Sequence, residues 1–170
     1  MLLLIRLRIY FRGGRCNVRT DLTGRRVVIT GAAQGIGRVT MGELLKSGCE
    51  IVFGDRDRSL SESTLRTLSL EYPGKVHYRY LDLTDYGSVK NFAEEVSKLF
   101  PKIDVLVNNA GVMGMRGRTL TSNGLEIQLA INYLGHFYLT HLLLDHLKLS
   151  DRPRICNLAS MAYSRVVHNR

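Results

Sequence analysis

The sequence predicts an α/β protein built on a doubly wound parallel sheet of about five strands with helices on both faces, incomplete at its C-terminal end. Three observations predict it. Short apolar runs alternate with stretches of helical period. A glycine triplet, Thr30-Gly31-x-x-x-Gly35-x-Gly37, stands between the first apolar run, Val27-Val28-Ile29, and the first helical stretch. The chain reaches Arg170 with its last ten residues unpatterned, before such a sheet is finished.

Residues 26–30 read as a short buried strand, and 35–47 as a helix closed by Gly48 in the C-terminal glycine position. Residues 50–54 give a second strand, and 59–72 a polar-faced helix stopped by Pro73-Gly74. His77, Tyr78, Arg79 and Tyr80 make 76–81 a third strand suited to a sheet edge. Thr84 is the expected cap of a helix over 85–100, which Pro101 ends. Ile103-Asp104-Val105-Leu106-Val107 is a strand of the type buried on both faces. A loop over 112–120, rich in glycine and arginine, leads to a long helical region over 123–149 and a fifth strand over 154–158.

A length of 170 residues, 45% of them apolar, is enough for one domain with a core. The charge is unevenly placed. Within residues 1–26 seven arginines face Asp21 alone, so this leader carries +6 of the net +9. The expected division is a basic arm over 1–21 and a partial dinucleotide-binding domain over 22–170. Such an arm suits solvent or an anionic lipid surface, as a peripheral contact, and no nucleic acid is expected as a partner. The apolar start Met1–Ile5 is broken by Arg6 and Arg8 and is too short to span a bilayer. Cys16, Cys49 and Cys156 are odd in number and widely spaced, which suggests neither a disulfide framework nor a zinc site.

The glycine triplet carries the functional signal. A turn between strand and helix that lacks side chains lets a phosphate approach a helix N-terminus, whose unpaired N–H groups and dipole favour anions. Asp55 ends the second strand, 18 residues beyond Gly37, near the spacing of a carboxylate that accepts from a ribose 2′-hydroxyl. Arg56 follows and suits a 2′-phosphate instead. The sequence therefore leaves NAD and NADP both open as the cofactor.

Thr30-Gly31-x-x-x-Gly35-x-Gly37, Asp82-Leu83, Asn108-Asn109-Ala110-Gly111, Asn132 and Ser160 share their order and spacing with the short-chain dehydrogenase/reductase superfamily. The chain resembles that superfamily over about residues 22–163. Within it, Ile9-Tyr10-Phe11-Arg12-Gly13-Gly14-Arg15-Cys16, Asn109-Ala110-Gly111-Val112-Met113 and Asn132-Tyr133-Leu134-Gly135-His136-Phe137 with Leu142-Leu143-Leu144 are similar to the microsomal retinol dehydrogenase group. The resemblance implies a Rossmann-like fold and hydride exchange between a nicotinamide cofactor, mostly NADP in that group, and an alcohol or carbonyl substrate such as retinol or another lipid alcohol. It implies a place at the cytoplasmic face of the endoplasmic reticulum or in the cytoplasm, and a homodimer formed through the 123–149 helix.

Residue by residue, the resemblance makes Thr30, Gly31, Gln34, Gly35, Ile36 and Gly37 the pyrophosphate turn, and Asp55 and Arg56 the ribose end. Asp82 and the Leu83 N–H would meet adenine, while Asn109, Ala110 and Gly111 run beside the cofactor. Asn132 would interrupt its helix and help hold a proton-relay water, and Ser160 would donate to the substrate oxygen. The superfamily's acid is a tyrosine helped by a lysine four residues on. No such pair follows Ser160, because Val167 stands four residues after Tyr163. The chain is therefore expected to be a truncated form, weak or inactive alone, with a non-catalytic nucleotide-binding or dimerisation module as the alternative. His136, His141 and His146, five residues apart, rotate away from one another on a helix and are expected to be ordinary helix-face residues.

Overall fold

The computed structural model describes residues 18, 20–114 and 117–160. Most of the basic arm, Tyr163 and Val167 lie outside the described residues. Five strands form one parallel sheet: β1 (Arg26–Thr30), β2 (Glu50–Asp55), β3 (Val76–Tyr80), β4 (Val105–Asn108) and β5 (Arg154–Asn157), in the spatial order β3-β2-β1-β4-β5. Helices α1 (Gly35–Lys46), α2 (Arg58–Glu71) and α3 (Tyr86–Leu99) follow the first three strands. Helix α4 fills 127–148 as an opening turn Ile127–Leu129, a π-helical stretch Ala130–Leu134 and an α-helix Gly135–Lys148.

Alternation along the strands builds two core layers. Val28, Val52 and Leu106 point to the face covered by α3 and α4, where Phe92, Val96, Leu139 and Leu143 meet them. Val27, Ile29, Ile51, Phe53 and Val107 point to the opposite face, against Met41 and Leu45 of α1 and Leu68 of α2. The chain runs outward from β1 to β3, then returns to β4 beside β1. That reversal opens a crevice beyond the carboxyl ends of β1 and β4, where ligands bind in open α/β sheets.

The doubly wound parallel sheet, the edge position of β3 and the order of elements follow the sequence pattern. Some local details differ. Asp85, not Thr84, caps α3, its carboxylate accepting from Gly87 N at 2.8 Å. Thr84 is already turned back, because its N–H and hydroxyl both donate to Asp82 Oδ1. The expected helix over 123–149 starts late. Gly124, at φ +75°, belongs to a turn in which Thr121 N donates to Leu125 O, and a bridge pairs Leu120 with Glu126. Glu126 then caps α4 by accepting from Leu129 N. Strand β5 is an edge with all four residues exposed, and Ile155 and Leu158 each keep 43% of their surface open. Among the described residues no helix is long and apolar enough to cross a membrane.

Candidate dinucleotide site

Two glycines let α1, β1 and β4 meet at the crevice. Gly31 has φ +66°, in the left-handed region, and a Cβ there would lie 2.7 Å from Ala110 Cα. Gly37, in the first turn of α1, packs on the Gly31 carbonyl, and a Cβ would come within 2.5 Å of Asn109 Nδ2. That amide is fixed, donating to Thr30 O at 2.8 Å and Gly31 O at 2.9 Å. Gln34, the N-cap of α1, is extended and its side chain caps nothing. No acidic residue occupies the first turn. The helix therefore presents its N-terminal N–H groups and dipole to the crevice without a competing anion of its own.

The crevice is a cavity of about 380 Å³. Gly31, Gln34, Ile36 and Gly37 form its glycine-turn wall, and Asp55 and Arg56 its end on β2. Asp82 and Leu83 close one side, and Asn109, Ala110 and Gly111 the other. Eleven of the thirteen cofactor-binding residues expected from the sequence thus line one space. Thr30 stands behind the wall, fully buried, and Gly35 makes the turn at φ +59° with open space about it.

The polar groups of the cavity are held. Asp55 Oδ2 accepts from Ala33 N at 3.3 Å and Oδ1 from Asp57 N at 3.1 Å, so the carboxylate stays beside the glycine turn. The Arg38 guanidinium donates to Thr64 Oγ1, and the Thr64 hydroxyl donates to Ala33 O. Asp82 Oδ1 holds Thr84 in an Asx-type turn. These residues fit a nicotinamide dinucleotide on one physical ground: Gly31 and Gly37 let β1, α1 and the Asn109–Ala110 segment close on one another without side chains, and the turn at Gly35, open on its outer side, leads into a helix N-terminus with no side-chain cap.

Asn132 and Ser160 do not line this cavity. Asn132 lies in the π-helical stretch of α4 and pairs with the backbone of Val112, accepting from its N–H at 2.9 Å and donating to its carbonyl at 2.9 Å. It thereby fixes the strand of chain leaving Gly111. Ser160 is exposed beyond the end of β5, two residues past Leu158, which does line the cavity. Asn108 donates to Asn157 Oδ1 at 2.7 Å and Thr140 Oγ1 at 3.1 Å, tying β4 to β5 and α4. The string Tyr86-Gly87-Ser88-Val89-Lys90 has the tyrosine–lysine spacing, but it opens α3, its Tyr86 ring packs edge-on against Tyr138 at 5.5 Å, and neither end lines the cavity.

The structure corrects the sequence reading of His136. It is buried, 6% exposed, with Nε2 2.8 Å from Thr30 Oγ1, and burial pushes its pKa down to about 4. His146 differs, its Nδ1 meeting Pro101 O at the far end of α4. The signal for His136 was its position three residues before Leu139 and seven before Leu143, on the buried face of the helix. Val112, which the Asn109–Met113 string includes, also lines the cavity, and so do Gly54, Leu81, Ile131 and Leu158, which carried no motif that marked them.

The short chain dehydrogenase family model matches residues 25–169. Human retinol dehydrogenase 13 is 40% identical over 158 residues, covering 92% of this chain and 47% of that protein. The chain thus spans about half the length of this relative. Among solved structures, the short-chain dehydrogenase/reductase (glucose/ribitol dehydrogenase) of Brucella melitensis superposes with a TM-score of 0.74 at 26% identity, covering 89% of this chain and 62% of that one. The RhlG/NADP active-site complex of Pseudomonas aeruginosa superposes with a TM-score of 0.66 at 28% identity, covering 78% of this chain and 52% of that one. The glycine turn, the β1/β4 crevice and a match over most of the sequence together place this chain in the short chain dehydrogenase family of oxidoreductases.

Proposed function

We propose that this chain is the nucleotide-binding part of an NAD(H)-dependent oxidoreductase that interconverts an alcohol and a carbonyl compound, with a retinol-like lipid alcohol or aldehyde as substrate. The observation that carries the reading is the cavity beside the uncapped start of α1, which the close packing of Gly31 and Gly37 on Asn109 and Ala110 holds in place. Gln34, Ile36 and Gly37 would hold a pyrophosphate through their N–H groups, Asp82 and Leu83 would hold the adenine, and Asn109–Gly111 the nicotinamide end. The nicotinamide, when bound, supplies or accepts the hydride. Ser160 donates its hydroxyl to the substrate oxygen, and Asn132 holds the wall against which the substrate sits. The similarity to retinol dehydrogenase 13 supports the substrate class.

The choice of NAD rests on Asp55. Two backbone N–H groups hold its carboxylate at the ribose end, where it accepts from a 2′-hydroxyl and repels a 2′-phosphate. Arg56 lines the same end and offsets part of that repulsion. Fluorescence titration of the purified chain should therefore give a lower Kd for NADH than for NADPH. Asp55→Ser should reverse the preference by roughly tenfold or more, since a charge-assisted hydrogen bond contributes about 1.5–3 kcal/mol. A chain that binds neither nucleotide removes the whole reading, whereas an unchanged preference in Asp55→Ser removes only the role of Asp55.

A second reading, a dimerisation module, is carried by a different observation. Tyr133 and Phe137 stand side by side on the outer face of α4, 59% and 64% exposed, with Leu144 beyond them. Such a stripe suits a second copy or a full-length relative. In sedimentation velocity the chain should form dimers that Phe137→Glu returns to monomers. A wild-type chain that stays monomeric at high micromolar concentration rules the module out.

A further inference from the structure

Thr30 ends β1, fully buried, and three groups approach its hydroxyl oxygen. Asn109 N and Ala110 N each lie 3.0 Å away, and His136 Nε2 lies 2.8 Å away. A hydroxyl has two lone pairs and one hydrogen. The two backbone amides are donors only, so they take both lone pairs. The hydroxyl hydrogen is left for the third neighbour, and His136 Nε2 must accept it. A ring nitrogen that accepts carries no proton, so the imidazole is neutral with its hydrogen on Nδ1. Burial independently disfavours the charged ring.

We propose that His136 is a positioning residue for the nucleotide site, a tautomer-locked acceptor that fixes the Thr30 hydroxyl so that one oxygen receives both amides at the exit of β4. The inference rests on the dinucleotide reading of the cavity. Those amides belong to the wall itself. Ala110 is the residue that Gly31 approaches most closely, and Asn109 holds the carbonyls of Thr30 and Gly31. Were the ring to present a hydrogen at Nε2, it would compete with the two amides for the same lone pairs, and one amide would lose its acceptor. The wall would then shift relative to Gly31, where there is no slack. Gly135 adds to the constraint, because a Cβ there would lie 2.8 Å from Leu83 Cβ on the opposite wall. Adjacent residues of α4 thus hold both sides of the cavity, His136 through Thr30 and Gly135 through Leu83.

The test uses the full chain labelled with 15N. Long-range imidazole spectra at neutral pH should show His136 Nε2 unprotonated and Nδ1 protonated. The opposite tautomer, or a charged ring, overturns the proposal. Amide exchange at Asn109 and Ala110 should accelerate roughly tenfold in His136→Leu, the size of one neutral hydrogen bond. It should return toward wild type in His136→Gln, whose side-chain carbonyl reaches the place of Nε2. NADH affinity should follow the same order, weakened in His136→Leu and restored in His136→Gln. Equal losses in both variants, or no loss in His136→Leu, would show that the ring only fills space. Should the wild-type chain bind no NADH, the dinucleotide reading fails by itself, while tautomer and exchange still decide whether His136 sets Thr30.

Discussion

Gly37→Ala is expected to abolish detectable NADH binding and to destabilise the chain by about 2–4 kcal/mol. The added methyl group meets the Gly31 carbonyl, Asn109 Nδ2 at 2.5 Å and Ala32 Cα at 2.9 Å. None of these is the free end of a flexible side chain. The Asn109 amide is bound to two carbonyls, and the others are backbone. Relief requires α1 to move off β1 and β4. That movement carries the helix N-terminus out of the cavity, and the alternative, displacing the Asn109 amide, breaks its bonds to Thr30 O and Gly31 O, each contributing about 1 kcal/mol. Gly42→Ala in the same helix is the control. It meets nothing within 4 Å and should stabilise by about 1 kcal/mol through helix propensity, with NADH affinity unchanged. Urea unfolding and fluorescence titration measure both quantities. A Gly37→Ala chain with wild-type affinity would show that the α1–β4 contact does not shape the site.

Physical periodicity made the sheet and much of this site legible. Strands buried on both faces must be nearly continuous apolar runs, and glycines at a tight strand–helix turn have no substitute. Gly31 and Gly37 could therefore be placed from sequence, Asp55 by its spacing from them and Asn109 through the family resemblance, and all four line one cavity. What stayed hidden depends on pairings between distant residues. His136 looked like one histidine among three on a helix, since only the fold brings residue 136 to residue 30. Thr84 looked like a cap because local preference favours it, but Asp82 had already taken its hydroxyl and left the cap to Asp85. The start of α4 was misplaced because Asn123-Gly124 forms a turn and Leu120 pairs with Glu126, a contact that helical periodicity does not register.

Asp104→Ala is expected to cost about 3 kcal/mol of stability while leaving NADH affinity within roughly twofold of wild type. The carboxylate is 1% exposed and lies at the amino end of β4, the end of the sheet opposite the crevice. Its Oδ1 accepts from Arg25 Nη1 at 2.8 Å and Ser150 Oγ at 2.6 Å, and its Oδ2 from Arg26 N at 2.9 Å. It therefore joins the start of β1 to the segment leading into β5, where Asp151 shares Arg25. Removing it leaves the Arg26 amide and the Ser150 hydroxyl without their acceptor, and Arg25 with Asp151 alone. Burial opposes ionisation of Asp104, but Ser150, the Arg26 amide and Arg25 outweigh it and hold the carboxyl below the usual carboxylate range. A carboxyl lowered on folding stabilises the native state above its unfolded pKa of 3.8 and loses that contribution as pH falls through the folded value. His136 acts in a separate window. Its folded pKa of about 4 lies below the unfolded 6.5, so the unfolded chain takes up the proton first, and stability declines as pH falls from 6.5 toward 4. The full loss over that window is about 3 kcal/mol. Unfolding measured against pH should therefore show two descents. His136→Gln should flatten the upper one and Asp104→Asn the lower. A single descent, or an upper one that survives His136→Gln, would mean that this buried imidazole does not set the stability of the fold above pH 4.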